Sequence, residues 1–173
     1  MAITMNVKQG GNGNFSEGWH KVTVKSARYG QLDNGAKYID VFFNDYPDSF
    51  NMRMYAKTSK AGEEFAIANL FRFANAGIME VADGANHGDK VVKIDDTATN
   101  LVEKTFWIYL YKNEEGYSRV LQRIAPDEFE GTLDTFTEND VNYWKERAEK
   151  YFAEWVKPNI GSTVAEKTDD VPF

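Results

Sequence analysis

Apolar and polar residues alternate along five short stretches of the chain, a pattern that indicates β-strands with one buried face. The five stretches are residues 19–29, 36–43, 50–56, 104–112 and 117–124. Between the first two lies the pair Asn34-Gly35, which favours a hairpin because both residues tolerate a positive φ. The pattern therefore predicts five strands that run antiparallel.

A change of period separates the third stretch from the fourth. Between residues 60 and 76, apolar side chains recur at helical spacing, and Gly77 is a natural C-terminal stop. Residues 79–100 are predicted to be irregular, apart from a short strand at 90–94. Three strands, a helix and two strands is the order of an OB fold, a small five-stranded barrel, although other α+β layouts share it. We predict a mainly β (α+β) OB-fold domain at 1–125, whose first 18 residues form a flexible N-terminal arm.

The segment 126–160 is acidic and carries a second helical pattern. Thr137 followed by Asp140 resembles a capping box, and Pro158 ends the pattern. One apolar stripe follows from the spacing of Val141, Trp144, Ala148, Tyr151, Phe152 and Trp155. An amphipathic helix at 137–157 could pack on the barrel or pair with its copy in a homodimer. Residues 161–173 lack periodicity, and we predict a disordered acidic tail there.

The charge is distributed unevenly. The 173 residues carry a net charge of −7, with 27 Asp and Glu against 20 Lys and Arg. Residues 1–125 hold 15 acidic and 15 basic residues, whereas residues 126–173 hold 12 acidic and 5 basic residues. The excess negative charge therefore belongs to the C-terminal segment, and the neutral body can still present a basic groove.

Several chemistries find no support in the sequence. The chain has no Cys and only two His, His20 and His87, so neither a zinc site nor a thiol nucleophile is expected. The one Asp-Asp pair of the body, Asp95-Asp96, is too little for a metal-dependent nuclease. Nucleotide-binding and nucleophile motifs are also missing. We expect no enzyme activity, cofactor or metal. With no long apolar run and no signal peptide, we also expect a cytoplasmic protein without a membrane partner.

The last five residues are Asp169-Asp170-Val171-Pro172-Phe173. This run resembles the acidic tip of bacterial single-stranded DNA-binding proteins, and phage single-stranded DNA-binding proteins similarly end in an acidic tail with an aromatic residue. The resemblance implies an OB fold and a role in DNA replication, recombination and repair. It also implies that the tip recruits partner proteins. A phage origin would place the protein in the host cytoplasm.

Single strands are bound by stacking bases on aromatic rings while cations follow the phosphates. Residues of outward parity on the predicted strands supply both. The candidate DNA-binding residues are Lys21, Lys25, Tyr38, Phe42, Arg53, Tyr55, Lys57, Trp107, Tyr109, Tyr111, Lys112 and Arg119. The opposite face of the fourth strand is apolar and already provides the strand's contribution to the hydrophobic core. Its outward aromatic residues are therefore covered either by DNA or by the C-terminal helix.

These observations predict a protein that binds and protects single-stranded DNA without sequence preference. Two alternatives remain. A recombination accessory protein would also anneal complementary strands, and an OB module for protein contacts would have no affinity for DNA.

Overall fold

The structure of the protein is a computed structural model that describes residues 2, 4, 15–84, 88–131 and 133–160. The strands, in chain order, are β1 (Gly18–Gln31), β2 (Lys37–Phe43), β3 (Asn51–Tyr55), β4 (Ile78–Asp83), β5 (Lys90–Ile94), β6 (Thr105–Lys112), β7 (Ser118–Val120), β8 (Ala125–Pro126), β9 (Phe129–Glu130) and β10 (Thr135–Phe136). The α-helices are α1 (Ala66–Phe73) and α2 (Glu138–Tyr151). Short 3-10 turns lie at Ala98–Leu101 and Lys157–Asn159, and a π-helical turn at Phe152–Val156 continues α2.

The main sheet has the strand order β3-β2-β1-β6-β7, and β8 also pairs with β6. All of these pairs are antiparallel. The mainly β prediction is therefore confirmed. Among the described residues the outer strands β3 and β7 do not pair with each other, so the sheet is open and a closed barrel is not confirmed.

Strand β1 belongs to both halves of this sheet. Its first part pairs with β6, its second part pairs with β2, and the register shifts between Val24 and Ser26. Such an irregularity bends a strand and strengthens its twist, so the sheet wraps around one core. Alternate residues of each strand fill that core, as the sequence predicts; fully buried examples are Val24, Ile39, Val41, Met52, Phe106, Ile108 and Leu110.

Side chains rather than strand pairing bridge the opening between β3 and β7. The Gln122 amide Nε2 donates a hydrogen bond of 2.6 Å to the carbonyl oxygen of Arg53. Nearby, the ring of Phe15 lies 4.8 Å from that of Phe50, and the backbone N–H of Phe15 donates to Ser118 Oγ at 3.3 Å. The N-terminal arm is thus anchored to the sheet at residue 15, and its residues 5–14 lie outside the described part of the chain.

Helix α1 is confirmed but shorter than the predicted 60–76. Gly62 has a φ of +87°, which only glycine adopts readily, and it belongs to a turn before the helix. The Glu64 carboxylate accepts hydrogen bonds of 2.8 to 2.9 Å from three successive backbone N–H groups at the start of α1. The helix therefore begins where this side chain satisfies its free donors.

Two predictions about the strands need correction. Residues 79–100 are not irregular throughout, because β4 pairs with β5 in a separate two-stranded hairpin. The fifth strand predicted at 117–124 is split. Its regular part is β7, and the chain later returns to β6 as β8, where Pro126 pairs with Phe106 instead of only ending a strand.

The C-terminal helix forms as predicted, and it lies against the sheet. Its capping box is present: the Thr137 Oγ1 accepts from the Asp140 N–H at 3.2 Å, and Asp140 Oδ2 accepts from the Thr137 N–H at 2.8 Å. On its inner side Val141 and Ala148 are buried. The acidic tail at 161–173 lies outside the described residues.

Candidate nucleic-acid interface

Four of the predicted DNA-binding residues share the outer face of β2 and β3. Tyr38 and Phe42 of β2 alternate with buried residues, and so do Arg53 and Tyr55 of β3. Register brings Tyr38 opposite Tyr55, with ring centroids 6.0 Å apart in an edge-on contact. The inward residues of both strands fill the core, so these four outward side chains are not required for core packing.

An ion pair fixes Arg53 at the centre of this face. Its guanidinium donates from Nε and Nη2 to the two carboxylate oxygens of Asp40, at 2.8 Å and 2.9 Å. Asp40 is 4% exposed, whereas the Arg53 side chain is 38% exposed. The hydrogen bonds that Arg53 donates to the Asp40 carboxylate hold the pKa of Arg53 above its usual range. The guanidinium thus keeps its charge and its orientation at the surface.

The ring of Tyr38 is held between Arg53 and the backbone of β1. The Arg53 guanidinium carbon lies 3.7 Å from the Tyr38 ring centroid, within the range of a cation–π contact. On the other side, a Cβ added at Gly30 would lie 2.3 Å from this ring. Gly30 therefore provides the room in which Tyr38 lies, a role that the sequence pattern does not reveal.

Arg28 is a further member of this face that outward parity misses. Its guanidinium carbon lies 5.1 Å from the centroid of the Phe42 ring, and the residue is exposed. Counting alternate residues from Val22 and Val24 would place Arg28 inside. The register shift after Val24 reverses the alternation, so that Arg28 lies on the outer side opposite Asp40. We call the set Arg28, Tyr38, Phe42, Arg53 and Tyr55 the aromatic face.

The predicted lysines of β1 both have carboxylate partners. Lys21 Nζ lies 3.1 Å from Asp127 Oδ2, and Lys25 forms an ion pair with Asp48. These pairs are partly or largely exposed and therefore weak, so phosphate can compete for the lysines. Lys57 lies two residues after β3, at the end of the aromatic face.

The remaining candidates lie on β6 and β7, on the other side of β1. Trp107, Tyr109 and Tyr111 face outward on β6, as predicted, and Lys112 ends that strand. Arg119 of β7 is exposed and lies opposite Tyr111. The sheet thus divides the twelve candidates into two separate surfaces rather than a single groove.

Helix α2 and the turn after it cover the β6 surface. The Lys145 ammonium lies 3.6 Å from the centroid of the Trp107 ring, and the Phe152 ring lies 5.2 Å from that of Tyr109 and 5.3 Å from that of Tyr111. Burial raises the pKa of both tyrosines. The sequence predicts that either DNA or the C-terminal helix covers the outward aromatic residues of β6. In the structure the helix lies over them.

Three further points concern metal sites, membrane helices and the predicted residues that the structure does not describe. In the part of the chain that the structure describes, no three His, Asp or Glu side chains gather in a way that could hold a metal ion. None of the described helices is both long and apolar enough to cross a membrane. His87 and the tip residues Asp169, Asp170, Val171, Pro172 and Phe173 lie outside the described residues.

No family model matches the chain, and no curated protein is significantly similar to it.

Proposed function

We propose that the protein binds single-stranded DNA without sequence preference and that the aromatic face is its principal contact surface. The observation that carries this proposal is the alternation of rings and guanidinium groups on one exposed face of β1, β2 and β3. Tyr38 lies between Arg53 and Gly30, and Arg28 lies over Phe42. Rings of this kind stack on any base, and guanidinium groups contact any phosphate.

The sheet supports an OB-like assignment. In OB folds, a partly open five-stranded barrel binds oligonucleotides on the face of its second and third strands and on two loops beside it. Here the second and third strands carry the aromatic face, and the sheet order β3-β2-β1-β6-β7 leaves one opening. We propose that this sheet is a barrel of that type, opened between β3 and β7.

The position of the face argues against an alternative role in core packing. The inward side of β2 and β3 already supplies Ile39, Val41 and Met52, each fully buried. Rings on the outer side are therefore not needed to complete the core. Each base that stacks on one of them would contribute about 1–3 kcal/mol to binding.

For the C-terminal tip, the resemblance to single-stranded DNA-binding proteins carries the proposal. We infer that residues 169–173 recruit replication and recombination proteins, and that the protein itself has no catalytic role. Deletion of residues 166–173 should then leave DNA affinity unchanged or increased while removing such partners. A loss of DNA affinity on deletion would contradict this arrangement.

Fluorescence polarisation with a labelled oligothymidine, measured across a salt series, tests the binding proposal. We expect affinity to fall as salt rises, because bound phosphates release counterions. Tyr38→Ala should weaken binding by about 1–3 kcal/mol, whereas Tyr38→Phe keeps the ring and should retain most of the affinity. Arg28→Ala should reduce both affinity and salt dependence, whereas Lys93→Ala on the β4–β5 hairpin is the matched control. No binding at low salt would refute the proposal.

A further inference from the structure

A cavity of about 250 Å³ lies between α1, α2 and the segment that follows β7. We call it the interhelical cavity. Five aromatic side chains contribute to its walls, namely Phe65, Phe73, Trp144, Tyr151 and Trp155. Its volume is below the roughly 300–1,000 Å³ typical of pockets for drug-sized ligands, so its occupant must be small.

The cavity is basic at its rim. Arg123, Arg147 and Lys150 line it, and Glu154 is the one acidic residue among its described lining residues. The Arg123 guanidinium carbon lies 4.5 Å from the Tyr151 ring centroid. Burial lowers the pKa of Arg123, and the positive charge of Arg147 lowers it further. An anion in the cavity would relieve this repulsion.

Gln122 provides a polar group at the same place. Its Nε2 donates to the carbonyl oxygen of Arg53, and this bond fixes which way the amide is turned. The opposite atom, Oε1, is buried and accepts no hydrogen bond from a described residue. Because almost none of this oxygen's surface can be reached by a water-sized molecule, it is not a contact for a ligand in the cavity, and Gln122 serves to tie the cavity wall to β3.

The cavity and the aromatic face meet at the edge strand β3. Arg53 points its side chain into the aromatic face, while its carbonyl oxygen is bound by Gln122, which lines the cavity. The next residue, Met54, also lines the cavity. Only Arg53 and Met54 of β3 therefore separate the two surfaces. A single strand of DNA that leaves the aromatic face can reach the cavity.

We propose that the interhelical cavity is a subsite for one nucleotide of the bound single strand, with the base against its aromatic walls and the phosphate at Arg147 and Lys150. This inference rests on the proposed function and adds a second anchoring point to it. A nucleotide combines the two properties that the walls demand, namely a flat ring and a negative charge. An acidic peptide, including residues 161–173 of this chain, would satisfy the charge and is the alternative outcome of the test.

Photo-crosslinking with oligothymidine that carries 5-iodouracil identifies the contacted residues by mass spectrometry. We expect crosslinks at Tyr38 or Tyr55 on the aromatic face and a separate crosslink at Trp144, Tyr151 or Trp155 in the cavity. The doubly substituted Arg147→Glu/Lys150→Glu protein should lose the cavity crosslink, keep those on the aromatic face, and bind about tenfold more weakly, as expected when one stacked base is lost.

The matched control is Lys60→Glu/Lys93→Glu, which changes the net charge equally at two exposed lysines outside both surfaces. Circular dichroism checks that both proteins fold. Crosslinks on the aromatic face with none in the cavity would overturn the subsite alone. Equal weakening by the two double substitutions would also overturn it, and failure of the unaltered protein to bind DNA would overturn both proposals. If a peptide of residues 161–173 bound the cavity while the oligonucleotide left it uncrosslinked, the cavity would be a peptide site instead.

Discussion

Phe152 packs its ring against Tyr109 of β6, with the two centroids 5.2 Å apart. The same ring contacts Tyr111, and Trp19 on the neighbouring strand donates from its Nε1 to Glu149 Oε2 at 2.7 Å. The turn after α2 and the helix itself therefore close the outer side of β6. Aromatic residues that alternate on an outer strand face serve here to dock a helix.

Replacing Phe152 with Ala should destabilise the protein. The ring is half-buried, so its loss should lower the free energy of unfolding by about 1–3 kcal/mol, less than for a fully buried phenylalanine. Urea unfolding followed by circular dichroism measures this change. The exposed Tyr143 of α2 is the matched control, since Tyr143→Ala should change stability by only about 0.5 kcal/mol. Equal effects of the two substitutions would show that the turn is not docked on β6.

The sequence predicts the strands well because their alternation records which residues are buried. Val22, Val24 and Phe106 face inward as predicted, and the hairpin at Asn34-Gly35 forms, with Gly35 at a φ of +91°. Only Gly35 of the pair has a positive φ. Asn34 instead accepts a hydrogen bond from the Ala36 N–H through its side chain at 3.0 Å.

The candidate site is less predictable, since it depends on two features that alternation cannot contain. The register shift after Val24 reverses the parity of β1 and places Arg28 outside, on the same face as Tyr38. Long-range packing brings α2 onto β6, and nothing local to Trp107 indicates which element covers it. The alternation of apolar residues predicts the face of the strand on which a side chain lies. Whether another element covers that face depends on tertiary packing, which the local sequence does not contain.

Gly30→Ala should separate DNA binding from stability. The added methyl group would overlap the ring of Tyr38, whose far end can move away, so we expect a loss of stability below about 1 kcal/mol. The ring would then leave its place beside Arg53, and DNA affinity should fall towards that of Tyr38→Ala. Polarisation titrations and urea unfolding on the same samples measure both. Unchanged affinity would indicate that the position of Tyr38 is unimportant for binding.

Asp40→Asn should destabilise the protein more than loss of an exposed ion pair does. Asp40 is buried and holds both guanidinium nitrogens of Arg53, and hydrogen bonds to charged groups contribute about 1.5–3 kcal/mol. Partial exposure of Arg53 places the expected loss near the lower end of that range. Asp48→Asn is the control because its pair with Lys25 is exposed and contributes at most about 1 kcal/mol.

The same substitution also tests how Arg53 is used. If Arg53 contacts phosphate, removing the carboxylate of Asp40 leaves its charge available, and the affinity for oligothymidine should rise as its salt dependence steepens. The measurement is a polarisation titration at several salt concentrations, made at a temperature at which the Asp40→Asn protein is folded. A fall in affinity without a change in salt dependence would mean that Asp40 acts by orienting Arg53 rather than by competing with phosphate.

Tyr111 should make the protein less stable at alkaline pH. Burial raises its pKa above the ordinary value of about 10, the nearby Tyr151 raises it further, and the charge of Arg119 opposes both. The unfolded chain therefore releases this proton at a lower pH than the folded protein does. The contribution of Tyr111 is fully present below about pH 10 and is lost as the pH rises through the folded-state pKa.

Urea unfolding at pH 8 and at pH 10.5 measures this dependence, and Tyr111→Phe should make the fall in stability with pH shallower. Burial lowers the pKa of Lys145, which changes stability in the opposite direction over the neighbouring pH range. That lysine is present in both proteins, so its effect cancels when their slopes are compared. Tyr117→Phe, at an exposed tyrosine, is the control for the removal of one tyrosine hydroxyl. An identical slope for Tyr111→Phe would place the Tyr111 hydroxyl in contact with water, and α2 would then not cover the end of β6.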